Sequence, residues 1–206
     1  MFKRKVFLLI FLLIGCSTVF AHDKYVSFKL QRGVQVQIPS DWKFFSDDQE
    51  KFIKAGEQAI IESSGLNIPA SDKVTLLRSH AMPRTKYAYL SVASTMPPSM
   101  SPSFVKSLTR SELKHFEGLR LKYVKSLSGH SEILEYYGVQ RDSFNGNPAL
   151  VTNYLRSGPM GPVHVQLIDI YTENQTVSVT LSHRKSESDI WNSILKQIRQ
   201  SVKVSN

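Results

Sequence analysis

The 206-residue chain has a single cysteine, Cys16, which lies within the first 21 residues. A domain folded from the remaining residues holds no disulfide, so its stability depends on a packed core. The sequence also lacks H-E-x-x-H, Walker A and G-x-G-x-x-G motifs, which argues against the enzyme classes that these motifs mark. Ser-x-x-Lys recurs, but S-D-N and K-T-G are absent. A penicillin-binding enzyme is therefore not indicated.

The N-terminal segment has the pattern of a secretory signal. Three basic residues at positions 3–5 precede an apolar run from Val6 to Ile14. This run is too short to cross about 30 Å of membrane hydrocarbon. We therefore predict a signal peptide over residues 1–21 and an exported mature domain over 22–206, in the periplasm or secreted.

Two processing sites compete at the end of this segment. Val19 and Ala21 are small enough for ordinary signal cleavage before His22, and the apolar residues 18–21 make a poor polar tether. However, Leu-Ile-Gly-Cys at 13–16 resembles a bacterial lipobox, in which Cys16 becomes the lipidated first residue. The sequence favours cleavage after Ala21, with an outer-membrane lipoprotein anchored through Cys16 as the alternative.

The chain carries more positive than negative charge. The formal net charge is +9, and removal of the three cations at positions 3–5 lowers it to +6. A moderately basic protein favours acidic partners without selecting one of them.

Alternating apolar and polar residues predict several strands joined by tight turns. VSFKL and VQVQI flank Arg32-Gly33, and KVTLLRSH and KYAYLSVAST form a second antiparallel pair. Asn145-Gly146 is a strong hairpin signal because a type I′ turn needs positive φ at both central residues. The register predicted from this turn pairs Val139 with Thr152, Tyr137 with Tyr154, and Glu135 with Arg156.

The last hairpin is predicted to turn between Glu173 and Asn174. In that register the apolar residues on both strands share one face. The predicted partners are Tyr171 with Thr176, Ile170 with Val177, Ile168 with Val179, and His164 with His183.

Helical spacing of apolar residues predicts three helices. The first starts at Ser46 and carries Phe52, Ala55, Ala59 and Ile60; the second spans about 103–126, with a bend or break possible at Gly118; the third spans about 187–203, with Ser186 and Ser188 available as caps. Each helix has an apolar face that needs a sheet to cover it. The predicted fold class is α+β, with an antiparallel sheet covered by helices.

Element order and three short motifs resemble the PsbP-like α/β/α sandwich. The motifs are GVQVQIPSDWKF, the FNGNPALVTNYL hairpin leading into HVQLIDIY, and the final helix WNSILKQIRQSV. The superfamily includes the extrinsic PsbP subunit of photosystem II, a Ran-binding nuclear import factor and bacterial envelope lipoproteins. The resemblance implies a single domain that binds proteins or assists complexes. It implies no catalytic residue, because members share none.

The paired histidines are the first candidate site. Directly opposite side chains on neighbouring strands have Cβ atoms about 4.5–5.5 Å apart, so His164 and His183 are close enough to share a metal ion or a proton. A zinc site needs a third and usually a fourth ligand, and the sequence identifies neither. We expect no resident cofactor, with a transition metal at this pair as the alternative.

A basic stripe is the second candidate. Lys106, Arg110 and Lys114 lie four residues apart in the predicted middle helix, and such a stripe binds anions or serves as an ordinary solvated face.

The function predicted from these features is that of an exported, non-enzymatic accessory or binding protein of the bacterial cell envelope. Its partner is an envelope protein or a small ligand; nucleic acid is not expected, and membrane contact is expected only if Cys16 is lipidated. The alternatives are a small metal-dependent or hydrolytic enzyme using His164 and His183, and an anion-binding surface protein using the basic helix.

Overall fold

The computed structural model describes residues 25–46, 48–51, 53, 55, 72–81, 85–127 and 131–205. The predicted signal peptide and Cys16 lie outside these residues, as do Phe52, Ala59 and Ile60 of the first predicted helix. No helix within the described ranges is long and apolar enough to cross a membrane.

Within the described residues, ten strands form two antiparallel sheets. The larger sheet has the order β3-β4-β5-β9-β8-β7-β6, and the smaller has the order β1-β2-β10. The strands are β1 (Tyr25–Lys29), β2 (Val34–Pro39), β3 (Lys43–Phe44), β4 (Asp72–His80), β5 (Ala88–Met96), β6 (Ile133–Phe144), β7 (Asn147–Arg156), β8 (Val163–Tyr171), β9 (Thr176–Arg184) and β10 (Lys203–Val204). The α-helices with described bounds are a short helix (Pro102–Ser107), a middle helix (Arg110–Leu127) and a C-terminal helix (Ser188–Ser201).

Helices cover both faces of the large sheet, which confirms the predicted α+β class. The C-terminal helix and β2 pack on one face, here called the inner face, where Ile168, Val179 and Trp191 belong to the largest buried cluster. The short and middle helices pack on the other face, where Val105 and Val124 belong to two smaller clusters. The result is an α/β/α sandwich. The smaller sheet lies beside the C-terminal helix on the inner face of the large sheet.

Three of the predicted strand pairings are confirmed. β1 pairs with β2 and β4 pairs with β5, both antiparallel. The last hairpin has the predicted register throughout, from Tyr171 opposite Thr176 to His164 opposite His183.

The predicted register of the Asn145-Gly146 hairpin is correct only near its turn. Val139 lies opposite Thr152 as predicted, but Tyr154 faces Tyr136 instead of Tyr137. The cause is a bulge that adds one residue to β6 between Tyr136 and Val139. A second irregularity between Ile133 and Glu135 shifts the strand again, so Arg156 faces Ile133 and the predicted Glu135–Arg156 pair is wrong.

The predicted 103–126 helix is two helices, and the break lies before Gly118. Thr109 starts the middle helix in a capping box with Glu112: the Glu112 carboxylate accepts from the Thr109 amide at 2.7 Å, and Thr109 Oγ1 accepts from the Glu112 amide at 3.2 Å. Gly118 lies inside a continuous helix, so the helix does not break there.

The other two predicted helices begin close to the expected residues. Ser46 and Gln49 form a capping box at the start of a helical turn. The C-terminal helix begins at Ser188 without a side-chain cap on its first amides, so the predicted serine cap is wrong. It buries Trp191, Ile194, Leu195 and Ile198, whereas Ile190 is exposed. It ends at Ser201, because the chain turns into β10.

Gly118 of the middle helix and Gly138 of β6 give a matched test of these assignments. Gly118→Ala is expected to raise the free energy of unfolding by about 1 kcal/mol, because alanine favours the helix and a Cβ there meets nothing within 4 Å. Gly138→Ala is expected to lower it by about 1–3 kcal/mol, because φ is +87° and the new Cβ lies 2.7 Å from the Glu117 carboxylate. Urea denaturation measures both changes. A neutral Gly138→Ala variant contradicts the bulge geometry.

Candidate functional site

The inner face of the sheet changes from apolar to polar along β7 and β8. Val151 and Ile168 are buried in the core, and Asn153 and Gln166 lie two residues further along the same faces, opposite each other. Gln166 Nε2 donates to Asn153 Oδ1 at 2.9 Å. Two amide side chains therefore lie on the inner face, at positions where the alternating pattern predicts apolar residues.

His164 and His183 continue this polar region across β8 and β9. They lie directly opposite each other, and their ring centroids are 5.4 Å apart with planes inclined by 22°. The exposed ring of Tyr137 stacks on the other side of His164, at 6.2 Å and 23°. The three rings form one stack, here called the Tyr137–His164–His183 stack.

The β6 bulge accounts for the place of Tyr137 in this stack. Because Tyr136 packs with Val163 and Val165 on the outer face and takes the position opposite Tyr154, its neighbour points to the inner face. The predicted register lacked this bulge and therefore did not place Tyr137 beside the histidines.

The C-terminal helix and the polar end of the sheet enclose a cleft of about 340 Å³. The helix packs its apolar stripe on the core and contributes a flanking row of polar side chains to the cleft. The polar lining residues are Asn153, His164, Gln166, His183, Ser188, Asn192, Lys196 and Arg199.

The hydrogen bonds around His183 identify its tautomer. Ser188 Oγ donates to the Lys185 carbonyl at 2.7 Å, so its proton is already used. The 3.2 Å contact between His183 Nε2 and Ser188 Oγ is then a bond in which the imidazole donates. A neutral His183 carries its proton on Nε2 and has its lone pair on Nδ1.

Both imidazoles are held in their neutral form. Burial lowers the pKa of His183 to about 4, the neighbouring His164 also lowers it, and Glu187 opposes the shift. Burial is also the main cause that lowers the pKa of His164, followed by the charge of Lys185, while Glu135 raises it. At neutral pH the stack therefore carries no charge.

The charge of the cleft comes from the C-terminal helix. Arg199 pairs with Asp142 and lies over the Phe144 ring at 5.5 Å. Lys196 is exposed, and no carboxylate of the described residues lies within ion-pair distance of it. The cleft lining includes no acidic side chain. The electrostatic character of the cleft is that of one uncompensated cation.

The stacked rings bear on the predicted metal site. Lone pairs of imidazole lie in the ring plane, and two stacked, nearly parallel planes do not bring their nitrogens to one point. A shared ion requires at least one of His164 and His183 to rotate. No cluster of three or more potential ligands among histidine, cysteine and carboxylate side chains occurs in the described ranges. The metal site stays a prediction.

The structure separates the members of the predicted basic stripe. Lys106 lies in the short helix, whereas Arg110 and Lys114 lie one turn apart in the middle helix. All three are exposed. Because Thr109 starts a new helix, the four-residue spacing does not place Lys106 in line with the other two. Anion binding by this surface stays a prediction.

Sequence reasoning missed the amides and Lys196. Asn153 and Gln166 interrupt otherwise apolar alternations on β7 and β8, and this signal is visible in the sequence. Asn192, Lys196 and Arg199 follow helical spacing beside the apolar stripe. Nothing in the sequence indicates that this row faces the polar end of the sheet instead of solvent.

No protein-family model matches the chain, and no curated protein matches it in sequence. Solved structures do match it. The solution structure of cyanobacterial PsbP (CyanoP) from Synechocystis sp. PCC 6803 has a TM-score of 0.57 and 13% identity, covering 94% of this chain and 99% of that one. The chain has a PsbP-like fold. This finding confirms the resemblance inferred from element order.

The fold is all that this likeness establishes, because 13% identity carries over no site. LpqN of Mycobacterium tuberculosis, described as involved in cell envelope biogenesis, has a TM-score of 0.47 and 9% identity, covering 84% of this chain and 83% of that one. That likeness is too low to carry an argument about this PsbP-like chain.

Burial of neutral His183 predicts a specific loss of stability in acid. The unfolded chain takes up this proton near pH 6.5 and the folded chain only near pH 4. Above pH 6.5 the imidazole is mainly neutral in both states. As the pH falls toward 4, the unfolded chain takes up the proton first, and the folded state suffers a loss of stability. At roughly 1.4 kcal/mol for each unit of pKa, it amounts to about 3 kcal/mol.

Urea denaturation at several pH values between 7.5 and 4 measures this loss. His183→Gln, which cannot titrate, is expected to show the shallower dependence, whereas His115→Gln, at an exposed position of the middle helix, keeps the wild-type slope. Equal slopes for the wild type and His183→Gln contradict the assignment.

Proposed function

We propose that this chain is an exported, non-enzymatic binding protein of the bacterial cell envelope, and that the cleft between the C-terminal helix and the polar end of the sheet is its ligand site. The observation that supports this most is the inward-facing polar region. Buried or half-buried amides and imidazoles cost free energy unless they are hydrogen-bonded, and departures from the apolar pattern of a core occur mainly at functional sites.

The chemistry of the cleft supports binding over hydrolysis. A serine nucleophile needs a base that accepts its proton, but the Ser188 hydroxyl donates to the Lys185 carbonyl and His183 Nε2 acts as donor toward it. No acidic side chain lines the cleft to act as a general acid or base there. The hydrogen bonds of Ser188 with His183 and with the Lys185 carbonyl hold the start of the helix and the ring of His183 in place.

Export is supported by the basic and apolar N-terminal segment. The intact mass of the protein from its native host, with soluble and membrane fractions kept separate, tests it. We expect a chain beginning at His22 in the soluble fraction. An acylated chain beginning at Cys16 in the membrane fraction would mean a tethered domain, and an unprocessed chain in the cytosol contradicts export.

Ligand binding in the cleft is tested with the low-molecular-weight fraction of a bacterial envelope extract. This fraction is expected to shift the imidazole NMR signals of His164 and His183 in the full chain. Asn192→Trp, which fills the cleft from the helix, is expected to weaken the response at least tenfold. Ser193→Trp, at the next and also exposed position, lies outside the lining and serves as the control.

The same samples separate binding from catalysis. Mass spectrometry is expected to recover the extract components unchanged after incubation. A new product that requires His164 and His183 would support the enzymatic alternative. An NMR response that Asn192→Trp leaves intact would place the ligand site outside the cleft.

A further inference from the structure

The lining of the cleft narrows the class of ligand, and this step rests on the proposed function. A volume of about 340 Å³ is near the lower end of the range for small-molecule pockets, about 300–1,000 Å³. The cleft therefore suits a ligand of one or two sugar rings better than a lipid or a folded partner.

The charges of the cleft favour a monoanion. Arg199 is compensated by Asp142, and burial keeps both imidazoles neutral at pH 7 although Glu187 and Glu135 oppose the shift of the pKa. Lys196 remains as the one cation in the described lining without a carboxylate partner. A carboxylate matches one positive charge, whereas a phosphate dianion would leave charge uncompensated in a partly closed site.

The amides favour a ligand rich in hydroxyl groups. In the Asn153–Gln166 pair one bond joins the two side chains at 2.9 Å. The described residues provide no further partner for the Gln166 oxygen or the Asn153 amino group. Asn192 adds another amide from the helix. An amide both donates and accepts, as a sugar hydroxyl does, so an apolar ligand would leave these groups unsatisfied.

The Tyr137–His164–His183 stack fixes the wall opposite the helix. His164 stacks between the rings of Tyr137 and His183, at centroid distances of 6.2 and 5.4 Å, and these contacts restrict the rotation of its ring. Its ring nitrogens are thereby held at defined positions beside the amides, which lowers the ordering cost of binding a polar ligand.

We propose that the cleft binds a sugar acid, with Lys196 pairing with its carboxylate and the Asn153–Gln166 pair, Asn192 and His164 receiving its hydroxyl groups. The neutral imidazoles serve here as hydrogen-bonding groups. Such a ligand matches the single charge, the amide-rich lining and the volume of the cleft together.

Two pairs of sugars test the ligand class, and in each pair only the first member carries a carboxylate: glucuronic acid with glucose, and N-acetylmuramic acid, which bears a lactyl ether, with N-acetylglucosamine. NMR titration of the full chain at pH 7.5 and low salt is expected to show at least one acid binding tenfold or more tightly than its neutral counterpart. Lys196→Gln is expected to remove that preference. Lys122→Gln, an exposed lysine on the opposite face of the sheet, keeps it.

The outcomes separate this inference from the proposed function. If the envelope extract shifts the imidazole signals but neither acid exceeds its neutral counterpart, the sugar-acid class is wrong and the cleft remains the binding site. If Lys196→Gln keeps the preference for an acid, the assigned role of Lys196 is wrong. If Asn192→Trp weakens neither the NMR response to the extract nor the binding of any sugar, the proposed site itself is wrong.

Discussion

The register of the β8–β9 hairpin is the constraint on which the rest of the structure depends. These strands lie in the interior of the seven-stranded sheet, and each contributes apolar side chains to the core under the C-terminal helix. The turn is closed by the Thr172 amide, which donates to the Gln175 carbonyl at 2.9 Å. Because side chains alternate, a slip of one residue would exchange the two faces and place Asp169 in the apolar core.

The same register places a polar group on each face of the sheet, with different outcomes. On the outer face, Asp169 pairs with Arg120 of the middle helix and accepts from Ser178 Oγ at 2.6 Å, while Arg120 Nε donates to Thr152 at 3.2 Å. This network is buried, and its partners satisfy one another. On the inner face, the amides and imidazoles are satisfied only in part and open into a cleft. The Asp169–Arg120 network therefore has a structural role. The inner-face amides and imidazoles are a candidate site because they keep unused hydrogen-bonding groups.

Short-range patterns in the sequence predicted most of the fold. Turn residues at Asn145-Gly146 and alternation around Glu173 were enough to identify the hairpins, because these signals act within a few residues. The β6 bulge was not predictable from the same signals: Gly138 supports it with a positive φ, but its position depends on Glu117 of the middle helix, which accepts from the Val139 amide at 3.1 Å. The His164–His183 pair followed from local register. Lys196 lies in the cleft because the C-terminal helix packs on strands that are distant in sequence. Local sequence patterns do not predict such a contact.

The C-terminal helix explains why a PsbP-like fold does not disclose a ligand. One stripe of this helix, which includes Trp191, Ile194 and Ile198, is buried and holds it on the sheet. A neighbouring stripe, which includes Asn192 and Lys196, lines the cleft without contributing to that core. Substitutions in the second stripe change the chemistry of the cleft while the packing of the first stripe preserves the fold. The fold therefore does not determine the chemistry of this cleft, which has to be inferred from the cleft residues of this chain.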